Sequence, residues 1–332
     1  MQTRTIGQTD LSVSVVAMGC WAIIGGFNWG DQDEADSLAT IQAALDVGVN
    51  FFDTAEGYGS GYSEQLLARV LAGRRSEVII ASKVSESNLS PVKLREACER
   101  SLRHLQTDYI DLYQVHWPSR EVPFDEIMRT LEDLRAAGKI RHIGVSNFGK
   151  VDQPEMLAAG RFDSNQVPYS LLWRAVEFDI QPVCVENQIS ILPYSPLMQG
   201  LLTGKFQSAD DVPVDRARTR HYSSQRTPLS RHGGAGFEAE TFAAIHAIQA
   251  VCDEIGHPME HVALAWLLAQ PAVTSVVAGA RNARQMQSNA QAGDLILSED
   301  VVMRLTEITD PLKALLGPDP DMWAPPGESR YR

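Results

Sequence analysis

Four residues able to move or hold a proton stand in the first part of the chain: Asp53, Tyr58, Lys83 and His116. The carboxylate, the ammonium and the imidazole each fall at the end of a short apolar run, and the phenol lies just past the carboxylate. A charged group inside an apolar run costs several kcal/mol unless it is paired, so Asp53 and Lys83 are expected to pair. A phenol ordinarily titrates near pH ~10, too high for an efficient acid at neutrality. An ammonium about 4 Å away contributes roughly 4 kcal/mol at an effective dielectric of about 20, or about three pKa units. That predicts a Tyr58 titrating near neutrality, with Asp53 holding Lys83 charged and His116 orienting a carbonyl. The group suits protonation of an alkoxide as it forms. Singly, each residue has an ordinary structural explanation: an ion pair in a core, a satisfied histidine, a loop aromatic. Their joint placement at successive run ends points to chemistry.

The elements that would position them alternate. Eight apolar runs, Val15–Gly19, Phe51–Ala55, Val78–Val84, Tyr109–His116, His142–Asn147, Ser164–Pro168, Ser190–Ser195 and Ser275–Ala280, are separated by segments with helical spacing. Among these are Glu34–Val47, Glu64–Leu71, Val92–Leu105 and Phe124–Ala137, where Ile127, Leu131 and Leu134 share a face. Short runs apolar on both faces are expected of buried parallel strands. Eight such units predict an α/β fold, a (β/α)8 TIM barrel, with its site at the C-terminal strand ends. A doubly wound sheet also alternates, but no GxGxxG follows the first run, and Gly57-Tyr58-Gly59-Ser60-Gly61 has another spacing and place. Arg4–Ser14, around Gly7-Gln8-Thr9-Asp10, predicts an N-terminal β-hairpin plugging the barrel floor. We expect one barrel domain over residues 1–332, with extra loops at the C-terminal face. The polar loop 207–236, with Arg216, Arg218, Arg220, Arg226 and Arg231, is expected to be mobile and solvated. No regular structure is expected in the Pro- and Gly-rich tail 311–332. Trp21, Trp29 and Trp117, on or just after strand ends, are candidates for pocket walls.

Composition narrows the partners. Of 332 residues, 44% are hydrophobic and 21% charged, which excludes a disordered chain, a collagen and a coiled coil. With 29 basic against 42 acidic residues and a net charge of −13, nucleic acid and anionic membrane are not expected partners. Cys20, Cys98, Cys184 and Cys252 form no CxxC pair, so we expect reduced thiols and a cytoplasmic protein. The uncharged stretches Leu11–Gly30 and Val262–Ala280 are broken by glycines, serines or Gln270-Pro271 and do not read as spanning helices, and no signal peptide is evident. His257 and His261 lack a third ligand, so no metal is expected.

The chain resembles the aldo-keto reductases. Gly48-Val-Asn-Phe-Phe-Asp53-Thr-Ala-Glu-Gly-Tyr58-Gly followed by Ser63-Glu64 is similar to the family's first signature. Lys83 after Ile79-Ile80-Ala81-Ser82 and His116 after Asp111-Leu112-Tyr113-Gln114 complete its tetrad, and Gly144-Val145-Ser146-Asn147-Phe148 resembles its fifth-strand motif. Among its members the chain looks most like bacterial ones related to inositol-utilisation and general-stress reductases. The resemblance implies NAD(P)H bound in an extended form and a small carbonyl substrate. It implies Tyr58 as general acid, tuned by Lys83 and Asp53, with His116 orienting the carbonyl and Trp117 in the substrate pocket. Ser146, Asn147 and Gln166 would bond the nicotinamide amide, and Tyr194 would stack on its ring. Gly19 and Trp21 would join the cofactor contacts, Trp21 also facing substrate. Ser195, Leu197, Gln199, Gly200 and Lys205 match the segment under the pyrophosphate, and Gly279, Arg281, Gln285 and Asn289 the adenosine end. The eighth strand departs from the pattern: Val277-Ala278-Gly279-Ala280 replaces Ile-Pro-Lys-Ser, removing a lysine and a serine that contact the 2′-phosphate. The preference for NADPH then rests on Arg281, with Arg284 as helper, and NADH is the open alternative. A second function remains open: a cofactor-binding, redox-sensing or regulatory subunit with weak turnover. The Asp53 pairing argues against a neutral Schiff-base Lys83.

Overall fold

The structure, a computed structural model, describes residues 1–26, 29–325 and 327–332. Strands β1 (Thr3–Thr5) and β2 (Ser12–Ser14) form an antiparallel hairpin. Eight parallel strands follow: β3 (Val16–Gly19), β4 (Phe51–Asp53), β5 (Ile79–Val84), β6 (Ile110–Val115), β7 (Ile140–Ser146), β8 (Ser164–Pro168), β9 (Ser190–Tyr194) and β10 (Val276–Gly279). Each pairs with the next, and β10 pairs with β3. Between β9 and β10 the ring is drawn shut by Ile191, whose N–H donates to the Ala272 carbonyl at 2.7 Å and whose carbonyl accepts from Thr274 at 3.2 Å. The alternation read from the sequence is therefore a (β/α)8 barrel.

The helices are α1 (Glu34–Asp46), α2 (Tyr62–Val70), α3 (Pro91–Leu105), α4 (Phe124–Ala136), α5 (Asp152–Ala159), α6 (Val176–Glu186), α7 (Glu238–Ile255), α8 (Met259–Leu268), α9 (Ala283–Gln291) and α10 (Glu299–Leu316). Local chemistry sets their ends. In α4, Asp125 and Glu126 complement the positive end of the helix dipole, Arg135 the negative end, and Ile127, Leu131 and Leu134 are buried against the barrel.

Inside the barrel a small apolar layer joins Ala17, Phe51, Ala81, Leu112, Leu192 and Val277 of the strands to Ile6, Leu11 and Val13 of the hairpin. The hairpin is thus the plug. Side chains alternate along a strand, so the residue two further on faces the same way. Two beyond those six strand residues stand Gly19, Asp53, Lys83, Gln114, Tyr194 and Gly279. A polar layer therefore lies directly above the apolar floor. Gly144 makes room for it: a Cβ there would come 2.9 Å from Gln114 Cγ and 2.5 Å from Ser164 Oγ.

Two expectations fail. Loop 207–236 is packed, with Ala217, Thr219, Arg220, His221 and Tyr222 all buried. Arg220 donates to the carbonyls of Leu316 at 2.5 Å and Asp319 at 3.3 Å, and His221 bonds the Leu172 carbonyl at 2.8 Å. Its arginines are used to tie down other loops as well as to meet solvent. The tail also differs. Helix α10 runs through Pro311 to Leu316, because Leu312 and Leu316 beyond the proline are buried. After it the described residues form no helix or strand but are held by side chains, as described below, and by backbone bonds from Arg220 to the Met322 carbonyl at 2.9 Å and from Val151 to the Arg332 carbonyl at 2.7 Å. No helix among the described residues is long and apolar enough to cross a membrane, and among them no three His, Cys, Asp or Glu side chains are grouped to hold a metal.

The plug is clasped by charge. His142 bonds Asp10 of the hairpin at 2.7 Å and lies 3.8 Å from Asp163, while Arg141 reaches Asp10 at 2.8 Å. Burial works against the imidazolium, but Asp163 and Asp10 outweigh it and raise the His142 pKa above its ordinary value. The charged form is favoured by folding, so this stabilisation is fully present below the unfolded pKa and is lost as pH rises through the folded one. His142→Gln is expected to lower unfolding free energy by on the order of 1 kcal/mol near pH ~5.5 and by much less near pH ~9, measured by urea titration at both.

Candidate active site

The polar layer is organised around one carboxylate. Lys83 on β5 is fully buried, and its ammonium has three protons to place. They go to Asp53 Oδ1 at 2.6 Å, the Thr54 carbonyl at 2.9 Å and the Tyr58 hydroxyl oxygen at 3.3 Å. The other carboxylate oxygen of Asp53 accepts from Gln166 Nε2 at 2.7 Å and Gln114 Nε2 at 3.3 Å. Asp53 is thereby compensated on both oxygens, which a buried carboxylate requires. Burial opposes the Lys83 charge, but Asp53 and Tyr58 outweigh it and hold the pKa above its ordinary value.

Tyr58 stands in the turn after β4 with its ring stacked on Trp21 (centroids 6.1 Å, 20° between planes) and its edge toward His116 (5.8 Å, 78°). Its oxygen accepts from Lys83, so its own proton is directed elsewhere. The expectation of a near-neutral pKa is corrected here. Burial pushes the phenol up and Asp53 adds to it; together they exceed the pull of Lys83, and the pKa lies above the ordinary value. His116 follows β6. Burial, with Lys83 adding to it, depresses its pKa to about 3, so the imidazole is neutral at physiological pH.

These groups open into a cleft of about 1060 Å³ at the C-terminal strand ends. Gly19, Trp21, Asp53, Tyr58, His116 and Trp117 line it, as do Ser146, Asn147, Gln166 and Tyr194. Ser195, Leu197, Gln199, Gly200 and Lys205 follow along one arm, and Gly279, Arg281, Gln285 and Asn289 stand at the far end. Of the tetrad, Lys83 alone lies beneath this surface, and Arg284, the expected helper of Arg281, does not line it. The arm combines tight turns with positive charge. Ser195, Met198, Gln199 and Gly200 all have left-handed backbone, a costly run for side-chain-bearing residues, and it curls the chain under the cleft. At Gly200 (φ +99°) a Cβ would lie 2.6 Å from Lys205 Nζ. Lys205 is held below its ordinary pKa by burial and by Arg216, and Arg218 by burial and Arg231. Crowded cations in an acidic protein are what a polyanionic ligand would relieve. This donor set fits a dinucleotide pyrophosphate. At the far end Arg281 is already engaged: Nε donates to Gln32 Oε1 at 2.9 Å, and the guanidinium also bonds the Asp31 carbonyl.

Comparison with known proteins gives the same direction. Residues 16–310 match the profile of the aldo/keto reductase family. The chain belongs to that family. It is 34% identical to the aldo-keto reductase YhdN of Bacillus subtilis, over 98% of each chain. It is 33% identical to the NADH-specific methylglyoxal reductase of Escherichia coli, over 94% of this chain and all of that one. An aldo-keto reductase of Klebsiella pneumoniae, solved in complex with NADPH, superposes with a TM-score of 0.73 at 27% identity, covering 99% of this chain and 98% of that one. This aldo/keto reductase is accordingly an oxidoreductase acting through NAD(P)H chemistry on carbonyl groups.

Sequence reasoning missed three contributions to the reductase site. Gln114, a neutral amide inside an apolar run, carries no charge to betray its bond to Asp53. Trp323 and Arg330 line the cleft from the tail. Asp321, fully buried, accepts from Arg330 Nε at 2.7 Å and its terminal nitrogen at 3.1 Å, and from the backbone N–H of Trp323 at 3.1 Å. The Arg330 guanidinium lies 3.7 Å above the Trp117 ring, and the Trp323 ring is parallel to Tyr194 at 6.5 Å. The only sequence signal was aromatic and arginine residues in an otherwise unpatterned tail.

The buried pair predicts strong non-additivity. Asp53→Leu leaves the Lys83 ammonium without its anion and is expected to cost about 3–5 kcal/mol of stability. Combining it with Lys83→Met should recover a large part of that loss, giving a coupling energy of roughly 1–3 kcal/mol in urea-unfolding measurements of the full cycle.

Proposed function

We propose that this reductase converts aldehydes or ketones to alcohols with NADPH, Tyr58 supplying the proton. The observation that carries the reading is the Lys83–Tyr58 contact. One ammonium proton is spent on the phenol oxygen, so the Tyr58 O–H faces the cleft, where a carbonyl oxygen would lie. A reduced nicotinamide, when bound, supplies hydride to the carbonyl carbon. As the oxygen becomes negative, Tyr58 gives it a proton, and Lys83 stabilises the phenolate left behind without moving. Neutral His116 donates a hydrogen bond to the same oxygen and fixes the approach of the carbonyl. Ser146, Asn147 and Gln166 hold the nicotinamide amide, and Tyr194 supports its ring. Trp21, Trp29 and Trp117 wall the substrate side. Lys205 and Gly200 take the pyrophosphate, with Arg216 nearby. Arg281 favours the 2′-phosphate of NADPH, since a guanidinium fork suits phosphate. Its clasp by Gln32 and the NADH-specific relative keep NADH a second cofactor to test.

The test is quenching of tryptophan fluorescence by NADPH and by NADH, followed by loss of nicotinamide absorbance with an activated aromatic aldehyde. Binding with turnover is expected. Binding without turnover across several aldehydes would favour the regulatory reading. Tyr58→Phe is expected to lower kcat by about 100- to 10,000-fold while the NADPH Kd changes by less than about twofold. Because the Tyr58 pKa is raised and that of His116 is depressed to about 3, neither group titrates around neutrality. The single-turnover reduction rate should be flat through neutral pH and fall only on the alkaline side. A bell centred between about pH 6 and 8 would sink the assignment of these two residues.

A further inference from the structure

Asn147 has no hydrogen-bonding capacity left over. Its amide nitrogen donates to the His116 carbonyl at 2.9 Å and to Ser146 Oγ at 3.1 Å. Its Oδ1 accepts from the Tyr194 hydroxyl at 2.9 Å and from the Tyr331 hydroxyl at 2.5 Å. An amide offers two donors and two acceptor lone pairs, and all four are taken within the protein. The orientation of the amide is fixed by the His116 carbonyl, which can only accept. A nicotinamide amide that bonds Asn147 Oδ1 must therefore displace one phenol.

The two phenols are not equivalent. Tyr194 ends β9, inside the barrel ladder. Tyr331 belongs to the tail, whose described residues past Leu316 form neither helix nor strand. The neighbouring Arg332 is pinned at the start of α5, its carbonyl accepting from the Val151 N–H at 2.7 Å and its N–H donating to Asp152 Oδ2 at 2.9 Å, so the Tyr331 hydroxyl can leave Asn147 while the chain end stays anchored. Its ring meets Trp117 edge-on at 5.5 Å, beside Arg330 on the face of the same indole. So the segment that walls the substrate side is tied by one hydroxyl to a residue of the cofactor side.

Resting on the function proposed above, we propose that Tyr331 is a positioning residue whose phenol competes with the nicotinamide amide for Asn147 Oδ1. Dinucleotide binding and docking of the tail around Tyr331 are then antagonistic, and by linkage each weakens the other by the same factor. The tail's return to Asn147 helps the nicotinamide leave after turnover. Loosening of Tyr331 on cofactor binding also frees the Trp117 side of the pocket for the carbonyl compound, which gives a physical reason for cofactor to bind first.

Two measurements test this on the full-length protein. Hydrogen exchange of the tail amides, residues 318–332, is compared with and without saturating NADPH; faster exchange with NADPH is expected. The NADPH Kd and release rate are compared between wild type and Tyr331→Phe, which keeps the ring on Trp117 and removes only the hydroxyl. About fivefold tighter binding and correspondingly slower release are expected, the size of one neutral hydrogen bond. Weaker binding by Tyr331→Phe, or tail amides protected by NADPH, overturns the competition. If wild type binds and reduces with NADPH but both comparisons show no change, the coupling alone is overturned and the reductase reading stands. If neither protein binds NADPH, both are overturned.

Discussion

The charge on Lys83 is the constraint that the rest of the site serves. An ammonium fully enclosed by a barrel is tolerated only when each of its protons has an acceptor and its charge has a counterion. Asp53, Thr54 and Tyr58 meet that demand, and meeting it decides where the phenol stands. Asp53 in turn must be satisfied on its second oxygen, which draws in Gln166 from β8 and Gln114 from β6. Four strands are thus committed to one buried charge, and the small residue at Gly144 on a fifth makes room for the amide that completes it.

The barrel makes such a charge possible by layering. The hairpin supplies Ile6, Leu11 and Val13 to a dry floor, and the polar layer begins one inward position higher on the same strands. Water is excluded from below, so the electrostatic influence of Lys83 is spent on the mouth above. There the aromatic rings of Trp21, Trp29 and Trp117 restrict solvent further. The cations of the long arm are kept apart from this region along the cleft. On the function proposed above, the two ends divide the work, the cations of the arm to hold a polyanion and the tetrad to guard a proton, within a chain of net charge −13.

What could be read from the sequence follows the same physics. Parallel strands buried on both faces leave uninterrupted apolar runs, so all eight were visible, and a charge inside such a run stood out. The neutral amides Gln114 and Gln166 did not stand out as carboxylate donors, because nothing in their type distinguishes that role. The tail and the arginine loop were misread because neither has a period to reveal burial. Their order comes from a few anchors without a repeat: Asp321 to Arg330 within the tail, Arg220 to the carbonyls of Leu316 and Asp319, and backbone bonds from Arg220 to Met322 and from Val151 to Arg332. The acidity of Tyr58 was misjudged for a different reason. A Coulomb estimate with Lys83 alone omits the cost of burying a phenolate and the opposing field of Asp53.

The corrected sign suits the chemistry better. A phenol already acidic at neutrality would be ionised for part of the time and would have no proton to give. With burial raising its pKa, Tyr58 stays protonated in the ground state. In the reaction proposed above, the appearance of an alkoxide beside it would change that balance, because a strong base would then lie within hydrogen-bond reach and Lys83 is already in place for the phenolate. Proton transfer would then be favoured by the developing charge itself, with no rearrangement of the tetrad needed at that moment. Preorganisation resides in the ion pair, and selectivity in when the proton leaves resides in the burial that opposes it.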